Sequence, residues 1–288
     1  MKKKVLVLGS TGMLGHQVVQ YFKNFDEYDI YDVSYRNKLT DQTSIIDVSN
    51  IADIEKYLIE TKPDFVINCI GLLINKSQKN ISKAIYINSY FPHLLKNICQ
   101  SVNIKLVHIS TDCVFSGNKG SYLEKDTPDS NTVYGRTKSL GEIIDKTNIT
   151  IRTSIIGPEL KSDGVGLLDW FIKENKKEID GYSETIWSGV TTLELAKIIK
   201  IVLDREITGL YHVSNNDKIS KYELLKLFNK NMNKKFTINK NKDVINDKSL
   251  IDTRNKLAYI IPDYATMIDS MFKDLSNNAS RYQHYNIF

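Results

Sequence analysis

A glycine-rich turn placed directly after a short buried strand constrains the fold more than any other feature of this sequence. Residues 5–8 form a continuous apolar run, which is typical of a strand buried on both faces of a parallel sheet. Residues 9–15 follow at once with the spacing GxxGxxG, and a helical pattern comes next. This order of elements points backbone N–H groups and a helix N-terminus at a pyrophosphate. The sequence therefore predicts a dinucleotide-binding site at this turn.

Each glycine of the turn has its own predicted task. Gly9 permits the tight turn, Gly12 lets a phosphate approach the backbone, and Gly15 lets the helix pack against the strand. The residues of the turn predicted to bind the cofactor are Gly9, Thr11, Gly12, Met13, Leu14 and Gly15.

Further apolar strands alternate with helical patterns, which predicts an α/β fold. Strands are expected near residues 28–35, 65–71, 105–110 and 149–154, and a long helix over 82–102 should be kinked or interrupted at Pro92. We predict a Rossmann-type doubly wound parallel sheet with a smaller α/β C-terminal substrate lobe. Residues 1–157 would form the NADP-binding domain, to which 182–215 return. Residues 158–181 and 216–288 would form the substrate-binding lobe.

The ends of the next strands predict which cofactor is bound. Arg36 follows the second strand, where an arginine suits the 2′-phosphate of NADP, whereas the nearby Asp32 would suit the ribose hydroxyl of NAD. The sequence therefore favours NADPH and leaves NADH open. The remaining cofactor contacts predicted at the ends of strands three and four are Asp47, Val48, Cys69, Ile70 and Gly71.

A tyrosine and a lysine four residues apart suggest the chemistry. Tyr134 and Lys138 would lie on one face of a helix, about one turn apart. A free tyrosine titrates near pH ~10, and an adjacent ammonium should lower its pKa toward the range of an efficient general acid. Ser110 and Thr111 end the fifth strand, at the edge of the sheet where α/β proteins place their ligands.

Composition excludes several other classes of protein. The net charge of +5 is spread over dispersed lysines, so it predicts a solvated surface and neither a nucleic-acid nor a membrane partner. The three cysteines show no metal-ligand spacing, and their odd number fits a reducing cytoplasm. The apolar run after the N-terminal lysines is too short for a targeting segment. No metal site is predicted, and a homodimer is left open.

Five segments, taken together and in this order, resemble the extended short-chain dehydrogenase/reductases, and within them the dTDP-4-dehydrorhamnose reductase branch. They are residues 9–15, 110–117, 134–142, 152–154 and 189–192, and the likeness extends to about residue 215. The resemblance implies NADPH-dependent reduction of a nucleotide-linked 4-keto-6-deoxy sugar in the synthesis of surface polysaccharide precursors. It implies a catalytic triad of Thr111, Tyr134 and Lys138 supported by Asp112. Ser110, Tyr134 and Lys138 would also contact the cofactor.

The sequence departs from that branch near the sugar. Ile155 stands where the rhamnose-forming reductases usually carry an aromatic residue, and the segment beginning at Trp187 also differs. The substrate is therefore left open between dTDP-4-dehydrorhamnose and a UDP-linked 2-acetamido-2,6-dideoxy-4-hexulose. Residues predicted to bind it are Thr111, Asp112, Val114, Ile155 and Trp187, with Lys221 and Arg254 as candidate donors to its diphosphate.

Two other functions stay open at this stage. A non-catalytic reductase-like subunit, such as the regulatory subunit of methionine adenosyltransferase, belongs to the same branch, but the intact Thr111, Tyr134 and Lys138 favour an enzyme. A combined epimerase and reductase would need a second acid/base pair, for which Cys113 is the only candidate thiol near the site.

Overall fold

The computed structural model describes residues 2–232 and 235–285. The described strands are β1 (Lys3–Leu8), β2 (Tyr28–Ser34), β3 (Ser44–Ile45), β4 (Phe65–Asn68), β5 (Lys105–Ile109), β6 (Ile149–Arg152), β7 (Ile155–Ile156), β8 (Glu178–Tyr182), β9 (Thr185–Trp187), β10 (Val190–Thr191), β11 (Gly209–His212), β12 (Ile219–Ser220), β13 (Thr237–Asn241) and β14 (Asn246–Asp247). The described α-helices are α1 (Gly15–Phe22), α2 (Ile51–Thr61), α3 (Ile74–Lys79), α4 (Ile81–Ala84), α5 (Phe91–Ser101), α6 (Val133–Leu140), α7 (Leu167–Lys173), α8 (Thr192–Asp204), α9 (Lys221–Asn231) and α10 (Tyr264–Asn277). Residues 233–234 and 286–288 of the predicted lobe lie outside the described residues.

Within the described residues, seven parallel strands form the central sheet, in the order β11-β6-β5-β4-β1-β2-β3. Val7 of β1 pairs with Asp32 of β2 on one side and with Ile67 of β4 on the other. The chain adds strands in one direction up to β3 and in the other direction from β4 onward. This reversal opens a crevice at the carboxyl ends of β1 and β4, where doubly wound sheets bind their ligands. The predicted fold class is confirmed.

Helices cover both faces of the sheet, which explains why its strands are apolar throughout. Val5 and Val7 pack in the core that α1 and α8 share, whereas Leu6 and Leu8 pack in the core beneath α2 and α5. All four side chains are fully buried. Burying a side chain of this size stabilises the fold by about 1.5–3 kcal/mol, so β1 anchors the glycine turn that follows it.

The long helix predicted over residues 82–102 is interrupted, as the sequence suggested. One turn of α4 leads into a π-helical segment, Ile85–Tyr90, and α5 then begins with Pro92 in its first turn. Proline lacks the N–H of an i→i−4 hydrogen bond, and π-helical turns such as the one before it are a common site of helix distortion. Within the π-helical segment, the Asn88 side chain accepts from the Leu72 N–H at 2.8 Å and donates to the Thr137 hydroxyl at 3.2 Å. Asn88 thus ties the loop after β4 to α6.

Later segments divide between the sheet and a smaller lobe. Helix α8 packs against α1, and β11 extends the central sheet beside β6. Strand β9 instead pairs with β12 and β14, and β8 pairs with β13. Phe171, Phe228 and Phe272 join α7, α9 and α10 through ring contacts of 5.5 and 6.2 Å. None of the helices within the described residues has the length and apolar character needed to cross a bilayer.

Candidate active site

The glycine turn after β1 has the geometry of a pyrophosphate cradle. Gly9 has a φ of +84°, a conformation that L side chains rarely adopt. A Cβ on Gly15 would lie 2.2 Å from the Gly9 carbonyl oxygen, so only glycine lets α1 begin this close to the turn. A Cβ on Gly12 would approach only the Gly9 carbonyl oxygen, at 3.2 Å, and would otherwise point into open space. The turn therefore offers a ligand free access to its backbone.

Unpartnered polar atoms next to the turn fit a dinucleotide. Within the described part of the chain, the buried Ser10 Oγ and Asp32 Oδ2 have no hydrogen-bond partner. Such atoms are rare in folded proteins and commonly belong to a ligand site. Ser10 is part of the turn, and Asp32 lies on the neighbouring strand β2. Across the crevice, Ile70 Cγ1 would lie 3.1 Å from a Cβ on Gly9, so the loop Cys69–Gly71 forms the opposite wall.

The other predicted residues of the turn are arranged around this cradle. Thr11 and Met13 are half-buried, and the Met13 methyl group would lie 2.6 Å from a Cβ on Gly166, at the start of α7. Leu14 is buried in the core shared by α1 and α8. Its side chain therefore packs inside the protein, which leaves only its backbone to face a cofactor.

Cations gather at the tip of β2. The guanidinium of Arg36 lies 4.7 Å from the centre of the Tyr35 ring, and the Lys83 ammonium lies 5.7 Å from the same centre. Asp47 accepts a hydrogen bond from the Ser49 N–H, which is the main reason that its pKa is lowered; Lys83 and Arg36 lower it further. The predicted adenine contact Val48 is buried. This corner suits a phosphate better than a neutral hydroxyl.

Helix α6 lies directly against the loop that follows β5. The Thr132 hydroxyl caps the helix by accepting from the Gly135 N–H at 3.0 Å. A Cβ on Gly135 would lie 2.1 Å from the Cys113 carbonyl oxygen and 2.2 Å from Ser130 Oγ. The absence of a side chain at Gly135 thus lets the neighbouring Tyr134 stand next to the loop that carries Thr111.

Replacing Gly135 with alanine should therefore destabilise the protein. Glycine to alanine inside a helix normally stabilises by up to about 1 kcal/mol. Here the new methyl group would meet a backbone oxygen at 2.1 Å, and overpacking of this kind costs about 1–3 kcal/mol. Denaturant unfolding measures the change, with Gly71→Ala as control because its Cβ would meet only Asn88 Oδ1, at 3.8 Å. A Gly135→Ala protein as stable as the parent would contradict this packing.

Thr111, Asp112 and Tyr134 form a connected polar group. The Thr111 hydroxyl donates to Asp112 Oδ1 at 3.0 Å and accepts from the Cys113 N–H at 3.1 Å. Burial raises the pKa of the Tyr134 phenol above its usual value, although hydrogen bonding to the Thr111 side chain opposes this shift. Burial also raises the pKa of Asp112, against the charges of two lysines and the bond from Thr111. Tyr134 is therefore a phenol at neutral pH and has a proton to give.

We expected Lys138 to lower the pKa of Tyr134, but the structure shows a shift in the opposite direction. Lys138 is buried and donates from Nζ to the Ile109 carbonyl oxygen at 2.7 Å. Burial lowers its own pKa to about 8, with the Glu142 carboxylate acting in the opposite direction. The pKa of Tyr134 is raised rather than lowered, because loss of hydration outweighs other influences. The i, i+4 spacing correctly predicted that the two side chains share one face of a helix, but it contains no information on how deeply they are buried.

Two lysines from the lobe approach the catalytic loop. Lys248 Nζ lies 3.9 Å from Cys113 Sγ, and burial raises the pKa of that thiol to about 12. The ammonium of Lys221, at the start of α9, lies 5.5 Å from the centre of the Trp187 ring. Burial lowers the pKa of Lys221 to about 8, while Asp112 and Cys113 oppose the shift. Cys113 is therefore a thiol rather than a thiolate, and Trp187 stands behind Lys221.

Some predicted contacts lie away from the open site. Val114 has no exposed surface and packs with Phe115, Tyr122 and Leu250, so its side chain does not reach the crevice. Ile155 is half-buried on β7. The predicted diphosphate donor Arg254 instead donates from Nη1 to the carbonyl oxygens of residues 208 and 210, at 2.8 and 2.6 Å. It holds its own loop against β11 and has fewer N–H groups left for a ligand.

Other residues at the site were missed from the sequence. Lys83 joins Arg36 at the tip of β2, Lys248 approaches Cys113, and Asn88 links the loop after β4 to α6. All reach the site from distant positions in the chain, and none belongs to a local motif. The interruption before Pro92 was the one signal that pointed near Asn88. Among the described residues, no cluster of three or more Asp, Glu, His or Cys side chains could hold a metal ion.

Known proteins share both this sequence and this fold. A family model described as the RmlD substrate binding domain matches residues 2–252. The chain is 31% identical over 229 residues to the spore coat polysaccharide biosynthesis protein SpsK of Bacillus subtilis (strain 168), covering 76% of each chain. It is 24% identical over 237 residues to methionine adenosyltransferase 2 subunit beta of Xenopus laevis, covering 77% of this chain and 70% of that protein. A crystal structure of dTDP-4-dehydrorhamnose reductase from Bacillus anthracis str. Ames in complex with NADP matches with a TM-score of 0.83 at 25% identity, covering 95% of this chain and 99% of that one.

Proposed function

The chain belongs to the RmlD substrate binding domain family, and we propose that it reduces the C4 ketone of a nucleotide-linked 4-keto-6-deoxy sugar with NADPH. It is an NAD(P)H-dependent oxidoreductase of the extended short-chain dehydrogenase/reductase type. The choice of NADPH over NADH and the identity of the sugar nucleotide are inferred from the residues around the site.

The proposal rests on one arrangement: a half-buried phenol next to a hydroxyl, with a buried lysine one helical turn away. Tyr134 keeps its proton because burial raises its pKa. Thr111 is within hydrogen-bonding reach of that phenol and lies at the carboxyl end of β5, where the crevice opens. Lys138 is held by the Ile109 carbonyl oxygen at 2.7 Å. These groups are suited to protonate a carbonyl oxygen.

Each side chain has a definite task in this reaction. A reduced nicotinamide cofactor, held at the glycine turn by its pyrophosphate, would supply the hydride. Thr111 would turn its hydroxyl from Asp112 to the ketone oxygen, where negative charge develops. Tyr134 would donate its proton to that same oxygen. Lys138 would hold the nicotinamide ribose and stabilise the phenolate that remains.

The residues around the ketone site narrow the range of sugar nucleotides that the protein is expected to reduce. Ile155, in place of an aromatic residue, leaves the sugar pocket with a different shape from that of the rhamnose-forming branch. Since the chain is also similar to a structure named dTDP-4-dehydrorhamnose reductase, we rank a dTDP-4-dehydrorhamnose substrate only slightly ahead of a UDP-linked 2-acetamido-2,6-dideoxy-4-hexulose.

Product analysis tests the proposal directly. The protein is incubated with NADPH and a panel of dTDP- and UDP-linked 4-keto-6-deoxy sugars, and the products are identified by mass spectrometry. A gain of two hydrogens in one sugar nucleotide, matched by equal NADPH consumption, is the expected result. If neither the sugars nor NADPH were consumed, the proposed reductase activity would be rejected and the non-catalytic subunit would be favoured. The presence of Tyr134, Thr111 and Lys138 in one group argues against that alternative.

Arg36 should make NADPH the better cofactor. Replacing Arg36 with glutamine should weaken NADPH binding by about 1–3 kcal/mol, the value of a charge-assisted contact, and should leave NADH binding almost unchanged. Lys83→Gln should change NADPH binding in the same direction, since its ammonium lies over the same Tyr35 ring as the guanidinium of Arg36. Fluorescence titrations with NADPH and with NADH measure the affinity of each variant for both cofactors. If the parent protein bound NADH as tightly as NADPH or more tightly, Asp32 rather than Arg36 would be the residue that recognises the adenosine ribose.

The compartment and pathway follow from the proposed substrate. Cys69, Cys99 and Cys113 are all free thiols, which fits a reducing cytoplasm. Activated 6-deoxy sugars are precursors of surface polysaccharides, and the relative from Bacillus subtilis is named for spore coat polysaccharide biosynthesis. We propose the same kind of role here.

A further inference from the structure

An ion pair lies beneath the candidate active site, where the reaction described above makes no use of it. Arg152 of β6 donates from Nε to Glu142 Oε1 and from Nη2 to Glu142 Oε2, both at 2.6 Å. The two side chains are only 2% and 3% exposed. A guanidinium and a carboxylate joined by two parallel hydrogen bonds have a fixed mutual orientation. Glu142 is therefore held rigidly below the end of the sheet.

The same carboxylate is bonded to the strand that holds the catalytic lysine. Ser110 donates from Oγ to Glu142 Oε1 at 2.7 Å. Ile109, the residue immediately before it, accepts from Lys138 Nζ at 2.7 Å. Ser110 was predicted to contact the cofactor, but its hydroxyl is engaged by Glu142. Arg152, Glu142 and Ser110 thus form a continuous support for the backbone atom that positions Lys138.

From this geometry we propose that Glu142, held by Arg152, is a positioning residue that fixes Lys138 and keeps it protonated. The inference rests on the proposed function, since it concerns how Lys138 serves the reduction. It adds that a buried carboxylate, which does not touch the reacting atoms, widens the pH range in which Lys138 carries its charge.

The other groups facing Lys138 are neutral near pH 7. Cys69, at the end of β4, is a thiol whose pKa burial raises to about 12. His108 of β5 stays neutral because burial lowers its pKa well below the usual value. Tyr134 on the same helix stays a phenol because burial raises its pKa. Among the described residues facing Lys138, Glu142 is thus the one whose negative charge opposes the loss of its proton.

The remaining contacts of Arg152 keep the pair in place. Its Nη1 lies 3.4 Å from His212 Nε2, while His212 Nδ1 lies 3.1 Å from the Ile251 carbonyl oxygen. Burial lowers the pKa of His212, so the ring stays neutral and accepts from the guanidinium. The Arg152 guanidinium also lies 5.2 Å from the centre of the Phe115 ring. These contacts keep the guanidinium directed at Glu142.

Glu142→Gln tests the charge of this carboxylate, since the amide retains its shape and can still bond to Ser110. The pKa of Lys138 should fall below that of the parent by about one pH unit, the order expected when a single charge several ångströms away is lost at an effective dielectric constant of about 20. NMR titration of the Lys138 side-chain signal, assigned with Lys138→Arg, measures this in the cofactor-free protein. The alkaline limb of the pH profile of kcat/KM should move down by the same amount.

Glu124→Gln is the matched control. Glu124 bonds to Thr253 through its carboxylate and approaches Arg152 only through its carbonyl oxygen, at 3.5 Å, so it should leave the pKa of Lys138 unchanged. If Glu142→Gln alone fails to fold, Glu142→Asp keeps the charge but draws it back by one methylene group, and it should lower that pKa by a smaller amount. An unchanged pKa of Lys138 in whichever of these variants folds overturns the inference. The NMR titration needs no turnover, so its result is separate from a failure of the proposed reaction.

Discussion

Turnover should fall by about 10²–10⁴-fold when Tyr134 is replaced with phenylalanine, whereas NADPH affinity should stay within a few-fold of the parent. The phenol is the proposed proton donor, and burial keeps that proton in place at neutral pH by raising the pKa of Tyr134. Removing one oxygen deletes the donor and leaves the ring to fill its place on α6. Steady-state kinetics with a keto-sugar nucleotide, together with cofactor titration, separates the two effects.

Tyr28→Phe provides the matched control for this experiment. Tyr28 is a buried tyrosine at the start of β2, at the edge of the sheet opposite the site, where its hydroxyl donates to Asp204. Its loss should cost some stability and leave turnover within a few-fold of the parent. A Tyr134→Phe protein with turnover as high as that of Tyr28→Phe would show that another group delivers the proton.

Those parts of the fold that depend on neighbouring residues could be predicted from the sequence. The continuous burial of residues 5–8, the turn at Gly9 and the beginning of α1 at Gly15 follow from local sterics and a run of apolar side chains. The start of α9 has an equally local cause, since the hydroxyl of its N-cap Ser220 accepts from the Glu223 N–H at 3.1 Å. In each case the cause and the structure lie within a few residues of each other.

The electrostatics of the site could not be predicted in this way, because they depend on burial. Tyr134 and Lys138 were placed correctly on one helix, but each is dehydrated by segments far away in sequence, and the pKa of Tyr134 moves opposite to expectation. The ring of His108 is buried on β5, where its Nδ1 approaches Asn68 at 3.2 Å, but its buried Nε2 has no partner among the described residues. Such outcomes depend on which strands become neighbours.

The ion pair between Glu142 and Arg152 could not be predicted from the sequence for the same reason. Glu142 and Arg152 are both part of segments that resemble the reductases, but neither motif shows that the two side chains meet. They come together because α6 ends beside β5 and because β6 is the next strand of the sheet. A local motif therefore locates the reacting groups, whereas the order of the strands decides what holds them.

The nucleotide of the substrate should be indispensable, since a C4 ketone alone gives the protein little to bind. Enzymes use binding energy from remote parts of a substrate to hold the reacting atoms in place. The lobe brings Lys221 and Lys248 to the catalytic loop, so the cleft between sheet and lobe is cationic on its substrate side. A diphosphate in that cleft would anchor the sugar against Thr111 and Tyr134.

The free ketosugar should therefore react with a kcat/KM about a thousandfold or more below that of its nucleotide-linked form, equivalent to the loss of about 4 kcal/mol of binding to the transition state. The nucleoside diphosphate alone should inhibit competitively, because it fills the anchor without a ketone. Comparing dTDP- and UDP-linked forms of one ketosugar under the same conditions then ranks the two bases. Equal kcat/KM with and without the nucleotide would show that the cleft binds only the sugar. Lys221 and Lys248 would then contact the sugar ring rather than the diphosphate.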